Sequence, residues 1–183
     1  MQHTGTKTLE TDRLLLRQFR IDDAEYMFKN WASDSKVTEF LTWPPHENVE
    51  VTKNVLENWI NKYSDLSFYN WVIEFKDIGE IVGNISVIKL DDRIEAAEIG
   101  YCMGSQWWGQ AIMPEALGAV ITYLLDDVGI NRVAACHDSN NPKSGRVMVK
   151  AGMKLEGVLR ESAINRHGRY DKVQYSILKS DRL

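Results

Sequence analysis

The stretch AEIGYCMGSQWWGQAIMPEAL, Ala97 to Leu117, constrains the fold more than any other part of the chain. A strand-like run, Ala97 to Met103, stands directly ahead of a glycine-bearing loop, and a helical pattern opens at Pro114. Proline suits a first helical turn, where its missing N–H costs nothing. Ala116, Leu117, Val120, Ile121, Leu124 and Leu125 then recur at the spacing of a helix with one apolar face. Arg132 to His137 reads as the strand that completes a β-α-β crossover.

The remaining segments set that crossover in a mixed sheet. Arg13 to Phe19 reads as a strand, and Asp22 to Trp31 as a helix with Ala24, Met27, Phe28 and Trp31 on one face. Lys36 to Leu41 leads into TWPPH, where Pro44 and Pro45 break any helix. Val51, Val55, Leu56, Trp59, Ile60 and Tyr63 predict a second helix from Asn48 to Tyr63. Trp71 to Phe75 and Ile81 to Ile88 are strands around the turn KDIGE, and Asp91 to Arg93 make the next turn. Pro142 to Ala151 is a short helix with Asn141 as N-cap and Gly152 as stop. Gly157 to Ser162 and Lys172 to Leu178 form a last hairpin around Asn165 to Gly168. The order β-α-α-β-β-β-α-β-α-β-β gives an α/β (α+β) chain whose sheet has an antiparallel middle.

No linker, repeat or low-complexity tract divides the 183 residues, so a single domain spanning 1–183 is expected. The hydrophobic content of 44% and the charged content of 26% are those of a soluble globular protein. A net charge of −4 argues against a nucleic-acid partner, which calls for a basic excess. Cys102 and Cys136 both fall in strand-like runs, so buried free thiols in a reducing compartment are expected rather than a disulfide. The start, MQHTGTKTLE, carries no apolar stretch for a secretory signal, and no apolar run is long enough to span a bilayer. These features predict a cytoplasmic protein with no membrane partner.

The loop carries the chemistry. Between a strand and a helix, the amides of Gln106 to Ala111 and the first helical N–H groups lack partners inside the helix. With the positive end of the helix dipole they make an anion site that accepts phosphate. Gly109 and Ala111 let a phosphate approach the backbone. G-x-x-x-x-G-K-[ST] and G-x-G-x-x-G are both absent, which disfavours nucleoside triphosphates and dinucleotides. On the loop alone, Gly109 could equally do no more than turn the chain while Trp107 and Trp108 pack.

Gln106-x-x-Gly109-x-Ala111 resembles the Q/R-x-x-G-x-G/A pyrophosphate loop of the GNAT superfamily of acetyl-CoA-dependent N-acyltransferases. TDRLLLRQFRIDDAE resembles that family's opening strand and helix, AEIGYCM its central strand, and NPKSGRVMVKAGMKLEG its second motif. Together they are most similar to the branch that acetylates the N-terminal alanine or serine of ribosomal proteins. One departure is visible: Val149 precedes Lys150 where that branch usually has glutamate, a packing change on a helix. The resemblance implies the GNAT fold, a mostly antiparallel sheet of about seven strands, splayed in the middle and flanked by about four helices. It implies acetyl-CoA as cosubstrate and no metal. Pantetheine would lie between the strands at Ala97 and Arg132, bonded by strand-edge groups of Cys102 and Met103. The pyrophosphate would rest on amides of Trp108 to Ile112, within a cofactor site of Gln106, Trp107, Trp108, Gly109, Gln110, Ala111, Ile112, Asn141 and Ser144.

Acyl transfer to an amine needs a neutral amine, a polarised carbonyl and a proton for the leaving thiolate. Glu98 matches the strand glutamate that serves as base in some relatives; its other reading is a carboxylate paired with a lysine or arginine. Ser144 matches the serine proposed as general acid in the ribosomal branch, or is simply a first-turn polar residue. Asn141 would hold the pantetheine, cap the helix, or both. His46 reads as a surface-loop histidine or as part of the acceptor mouth. His137 could titrate beside Asp138, but no second histidine stands at ligand spacing. Trp31, Trp59 and Trp71 read as core. The acceptor implied is a primary amine, foremost a protein N-terminus, attacked directly in a ternary complex. A polyamine or aminoglycoside acceptor and a non-catalytic acyl-CoA-binding module are the rivals. Relatives that pair make a homodimer a further expectation.

Overall fold

The computed structural model describes residues 1–182. Leu14 and Leu16 are fully buried while Leu15 and Arg17 alternate outward, so Leu14–Arg17 forms a half-buried strand, β2. The two-residue β1, Leu9–Glu10, lies on its outer edge. The next helical segment is broken into a tight turn at Ile21–Asp23, α1 at Ala24–Met27 and a wide turn at Phe28–Ala32. Ser33 explains the wide turn: its N–H and its hydroxyl both donate to the Phe28 carbonyl, at 3.2 and 2.7 Å. The continuous helix expected from Asp22 to Trp31 is corrected accordingly. A four-residue α2, Ser35–Thr38, follows, and α3 spans Val49–Ile60 with the Asn48 side chain accepting from Val51 N at 3.2 Å as cap.

Strands β3 (Asn70–Phe75), β4 (Glu80–Asp91) and β5 (Ala96–Met103) run as an antiparallel meander. α4, Ile112–Tyr123, crosses to β6, Arg132–Asp138. It buries Ile112, Met113, Ala116, Leu117, Val120 and Ile121 and ends beyond a wide turn at Gly129, φ 82°. α5, Pro142–Lys150, closes with Met153 N–H on the Met148 carbonyl and Gly152 N–H on that of Val149, both 3.0 Å, with Gly152 at φ 86°. The last hairpin pairs β7, Lys154–Asn165, with β8, Gly168–Leu178. Both strands are longer than expected from sequence. Charged residues break up the apolar alternation, and register slips at Leu155/Gly157 and Leu159/Ala163 interrupt what is left.

The sheet has eight strands in the order β1-β2-β3-β4-β5-β6-β8-β7, one more than the seven expected, because β1 is too short to leave a sequence pattern. α4 and α5 cover one face with Ala97, Ile99, Val133 and Ala135 beneath them. α1 and α3 cover the other, over Val72 and Ile81. Trp31 and Trp71 are fully buried, whereas Trp59 is only partly so and lies against Phe19 at 5.2 Å between ring centres.

Among the described residues only β5 and β6 are parallel, and they pair just from Ala96↔Arg132 to Ile99↔Ala135. Beyond that point Gly100–Met103 and Cys136–Asp138 diverge, leaving a fork in the middle of the sheet. The fork opens toward the loop between β5 and α4. Among the described residues, no helix is long and apolar enough to cross a membrane.

Candidate active site

The loop after β5 takes its shape from two left-handed residues. Gly109 has φ 84° and Ala111 φ 59°, so the chain doubles back before α4 begins. A Cβ on Gly109 would meet nothing within 4 Å, so glycine is needed there for its dihedral and for the open space above it. The Trp107 and Trp108 amides are spent on the carbonyls of Gly104 and Ser105, at 3.1 and 3.3 Å. Those of Gly109, Gln110, Ala111, Ile112 and Met113 have no acceptor among the described residues. The run of free amides therefore starts at Gly109, one residue later than the Trp108 expected from sequence. Five free donors at the positive end of a 12-residue helix fit a diphosphate.

Ala111 holds its left-handed conformation at a cost of roughly 1–2 kcal/mol, because its Cβ crowds the next carbonyl. Ala111→Gly is expected to raise unfolding stability by about 1 kcal/mol in denaturant titration. An unchanged midpoint would contradict the left-handed turn.

The loop is clamped from behind. Glu115, in the first turn of α4, accepts from Thr11 Oγ1 at 2.6 Å, Arg13 Nε at 2.7 Å and Arg13 N at 3.2 Å. Arg13 Nη1 also donates to the Gln110 carbonyl at 3.1 Å. Burial alone would push the Glu115 carboxyl up, but the bonds from Thr11 and Arg13 outweigh it and hold the group below the ordinary carboxylate range. A paired carboxylate there does not oppose an incoming phosphate. Lys143 adds a cation nearby, its Nζ 5.0 Å from the centre of the Trp108 ring. Gln106 and Gln110 are exposed, with Gln110 Nε2 donating to the Gln106 carbonyl at 3.3 Å.

Trp107 and Trp108 part company. Trp107 is buried in the core, while the exposed Trp108 donates its indole N–H to the Met103 carbonyl at 2.8 Å. Gly104 N–H bonds the Val82 carbonyl at 2.9 Å, which fixes the alternation along β4 and β5. By that alternation Cys102 turns its backbone toward Asn84 on β4, and Tyr101 and Met103 turn theirs toward the fork. Of the two residues expected to offer strand-edge groups, Met103 faces the fork and Cys102 does not.

Across the fork, Ser144 sits in the first turn of α5. Tyr101 Oη lies 2.9 Å from both the Ser144 carbonyl and its Oγ, and so bridges β5 to that turn. Burial pushes the Tyr101 phenol far above its usual value, so it stays protonated and can donate to the carbonyl. Asn141 occupies the N-cap position, but its side chain makes no cap hydrogen bond, which corrects the capping expectation. Gly145 is required by His137: a Cβ there would stand 2.6 Å from His137 Nε2. His137 itself is buried, with Nδ1 2.7 Å from the Asp138 carbonyl.

Glu98 points to the sheet face opposite α4, since its neighbours Ala97 and Ile99 fill the α4 core. Glu98 Oε1 lies 3.1 Å from Lys172 Nζ on β8 and 3.3 Å from Cys136 Sγ on β6. Oε2 has no partner among the described residues, and the side chains of Glu98 and Lys172 are each 19% exposed. The ion pair and the candidate base are therefore the same carboxylate, held by one oxygen and open at the other. Burial pushes the thiols of Cys136 and Cys102 up to about 11 and about 12, so both are protonated at neutral pH.

Lys172 is 74 residues from Glu98, and no local pattern could have announced it. Tyr101 was legible from the alternation Ile99, Tyr101, Met103, and the Arg13–Glu115 clamp was not. His46 is partly buried, not a free surface histidine: its Nδ1 is 2.8 Å from Thr52 Oγ1, and burial pushes its pKa down. Among the described residues, no three His, Cys, Asp or Glu side chains cluster as metal ligands.

Free amides at the start of a helix, beside a forked sheet, offer a place for an anionic group such as a diphosphate. Residues 13–154 match the Acetyltransferase (GNAT) domain family, and this chain belongs to it. It is an acetyltransferase, and the cosubstrate that goes with this family is acetyl-CoA. It is 32% identical over 171 residues to the Uncharacterized N-acetyltransferase YoaA of Bacillus subtilis, covering 93% of this chain and 96% of that one. It is 27% identical over 135 residues to the Ribosomal-protein-serine acetyltransferase of Escherichia coli, covering 73% and 72%. The crystal structure of a GNAT-family acetyltransferase from Bacillus anthracis superposes with a TM-score of 0.84 at 25% identity, over 95% of this chain and 99% of that one.

Proposed function

We propose that this chain moves the acetyl group of acetyl-CoA to the N-terminal α-amine of a protein, by direct attack in a ternary complex, as a single domain in the cytoplasm. The observation that carries this reading is Glu98: a carboxylate anchored through Oε1 beside the fork, with Oε2 unengaged. The diphosphate of the cosubstrate would rest on the Gly109–Met113 amides, and its pantetheine arm would lie in the fork between β5 and β6. The acceptor comes to the Glu98 face of the sheet and loses its proton to Oε2, directly or through one water. Its nitrogen then bonds to the acetyl carbon, the carbon–sulfur bond breaks, and the second proton that the nitrogen sheds is relayed through a hydroxyl to the departing thiolate. Ser144 Oγ, on the α5 side of the fork, is the donor for that proton, oriented by Tyr101.

A protein α-amine fits better than a polyamine. A polycation calls for several free carboxylates, and Glu98 is already paired with a cation, Lys172, through Oε1. The kinship to the Escherichia coli ribosomal-protein-serine enzyme supports the same choice. Incubation with acetyl-CoA, N-terminal peptides of ribosomal proteins and polyamines, reading free thiol and product mass together, tests it. Peptides acetylated at the α-amine are the expected products. Acetylated polyamine with untouched peptides would replace this reading with the small-molecule one.

A further inference from the structure

We propose that Arg166, at the tip of the β7–β8 hairpin, reads an acidic side chain near the start of the acceptor, so that the proteins acetylated are those with an acidic N-terminal segment. The inference rests on the acceptor being a protein N-terminus that meets Glu98. On the Glu98 face, each arm of the fork carries a wall. α2 is fastened to the β5 arm, where Asp34 Oδ2 accepts from Ser105 Oγ at 2.6 Å. The hairpin tip is fastened to the β6 arm, where Asp138 Oδ2 accepts from Asn165 Nδ2 at 2.7 Å. Arg166 crosses from the second wall to the first, its Nη1 3.5 Å from Oγ1 of the buried Thr38. A contact that long holds the guanidinium weakly, and Arg166 has no carboxylate partner among the described residues.

Arg166 stands at the far end of a floor that begins at Glu98. Behind Glu98 the same face is closed by Arg132, tied to Glu156 at 2.6 and 2.5 Å, with Ser176 Oγ also donating to Glu156 at 2.8 Å. An extended acceptor with its nitrogen at Glu98 Oε2 therefore runs toward the hairpin tip. Lys172, which holds Glu98 Oε1, lies four residues along β8 from Gly168 at that tip, about 13 Å at the rise of a strand. That is the length of about four extended residues, so the third to fifth side chains of the acceptor pass Arg166. The charge of this edge favours an acid there. Lys143 to Arg169 hold seven cationic side chains and two acidic ones, in a chain of net charge −4. Both acids are engaged, Glu156 with Arg132 and Glu161 with Arg169. A carboxylate arriving on the acceptor meets a planar guanidinium whose donors suit bidentate pairing.

The test uses heptapeptides with a free α-amine and no lysine, identical except for glutamate, glutamine or arginine at position three, four or five, and spermidine as a further acceptor. Thiol release gives KM and kcat for wild type, Arg166→Gln, Arg166→Glu and Lys150→Gln. Arg166 is exposed, so its replacement leaves the fold intact. In the wild type, glutamate at one of these positions is expected to lower KM about five- to tenfold against glutamine, with kcat unchanged. Arg166→Gln is expected to erase that difference, and Arg166→Glu to turn it into a preference for arginine. Lys150→Gln removes one cation from α5, on the other face of the sheet, and is expected to keep the wild-type preference. An equal loss in Lys150→Gln would overturn the inference, because the field of the whole molecule would then suffice. So would acetylated peptides with no glutamate preference in the wild type, or a preference that survives in Arg166→Gln; either result leaves the α-amine reading in place. Untouched peptides, with or without acetylated spermidine, would overturn both.

Discussion

Replacing Glu98 with glutamine is expected to lower kcat for an N-terminal peptide by about ten- to a hundredfold at pH 7, with thermal stability reported alongside. Glutamine keeps the shape of the side chain but cannot take a proton. An α-amine near 7.8 needs only about 1 kcal/mol to be neutral at pH 7, which places the loss at the low end of what a general base contributes. The sign of the pH dependence follows. As pH rises past the amine's own value the acceptor deprotonates in water, the base becomes dispensable, and the deficit shrinks by pH 9. If Glu98 serves only to pair with Lys172, the variant instead melts earlier and turns over normally. Equal rates for wild type and variant from pH 6 to 9 would remove Glu98 from the mechanism.

Gly109→Val is expected to raise the KM for acetyl-CoA by at least about tenfold, by either of two routes. Valine is strongly disfavoured at φ 84°, so the turn has to change. If the turn holds, the new side chain projects into the open space above the loop, where a phosphate would approach the amides. Gly118, inside α4, is the control. A Cβ added there would also meet nothing within 4 Å, but Gly118 has no left-handed backbone. Gly118→Ala should leave the KM unchanged and strengthen the helix by about 1 kcal/mol. A Gly109→Val enzyme with wild-type KM would mean that the loop does not hold the cosubstrate.

What the sequence told in advance follows from which forces are local. The strand at Ala97, the loop and the helix after it could be read because period-two and helical alternation, Pro114 and Gly109 all act within a few residues. Fold and family followed from those segments. The parts that escaped depend on distant partners. β1 and α2 are two and four residues long, too short for a period, and exist because β2 and the Phe28–Ala32 turn hold them. The Arg13–Glu115 clamp joins residues 102 positions apart, and the Glu98–Lys172 pair joins residues 74 apart. The choice between base and ion pair for Glu98 looked like a choice between two roles. In the structure one carboxylate oxygen makes the ion pair and the other is unengaged among the described residues.

The direction of the strand-edge groups was likewise hidden. Cys102 and Met103 are adjacent, and only the pairing of β4 with β5 decides which of them faces the fork. Trp108 is a second instance. An indole at that position reads as packing or as a cover for the cofactor, whereas its N–H in fact occupies the Met103 carbonyl.

Calorimetric titration of the full chain with coenzyme A tests most directly whether the unpaired amides ahead of α4 grip a diphosphate. Saturable binding at one site, weakened by Gly109→Val and retained by Gly118→Ala, is the expected result. No heat from the wild type up to millimolar ligand, or equal affinity in the Gly109→Val protein, would contradict it.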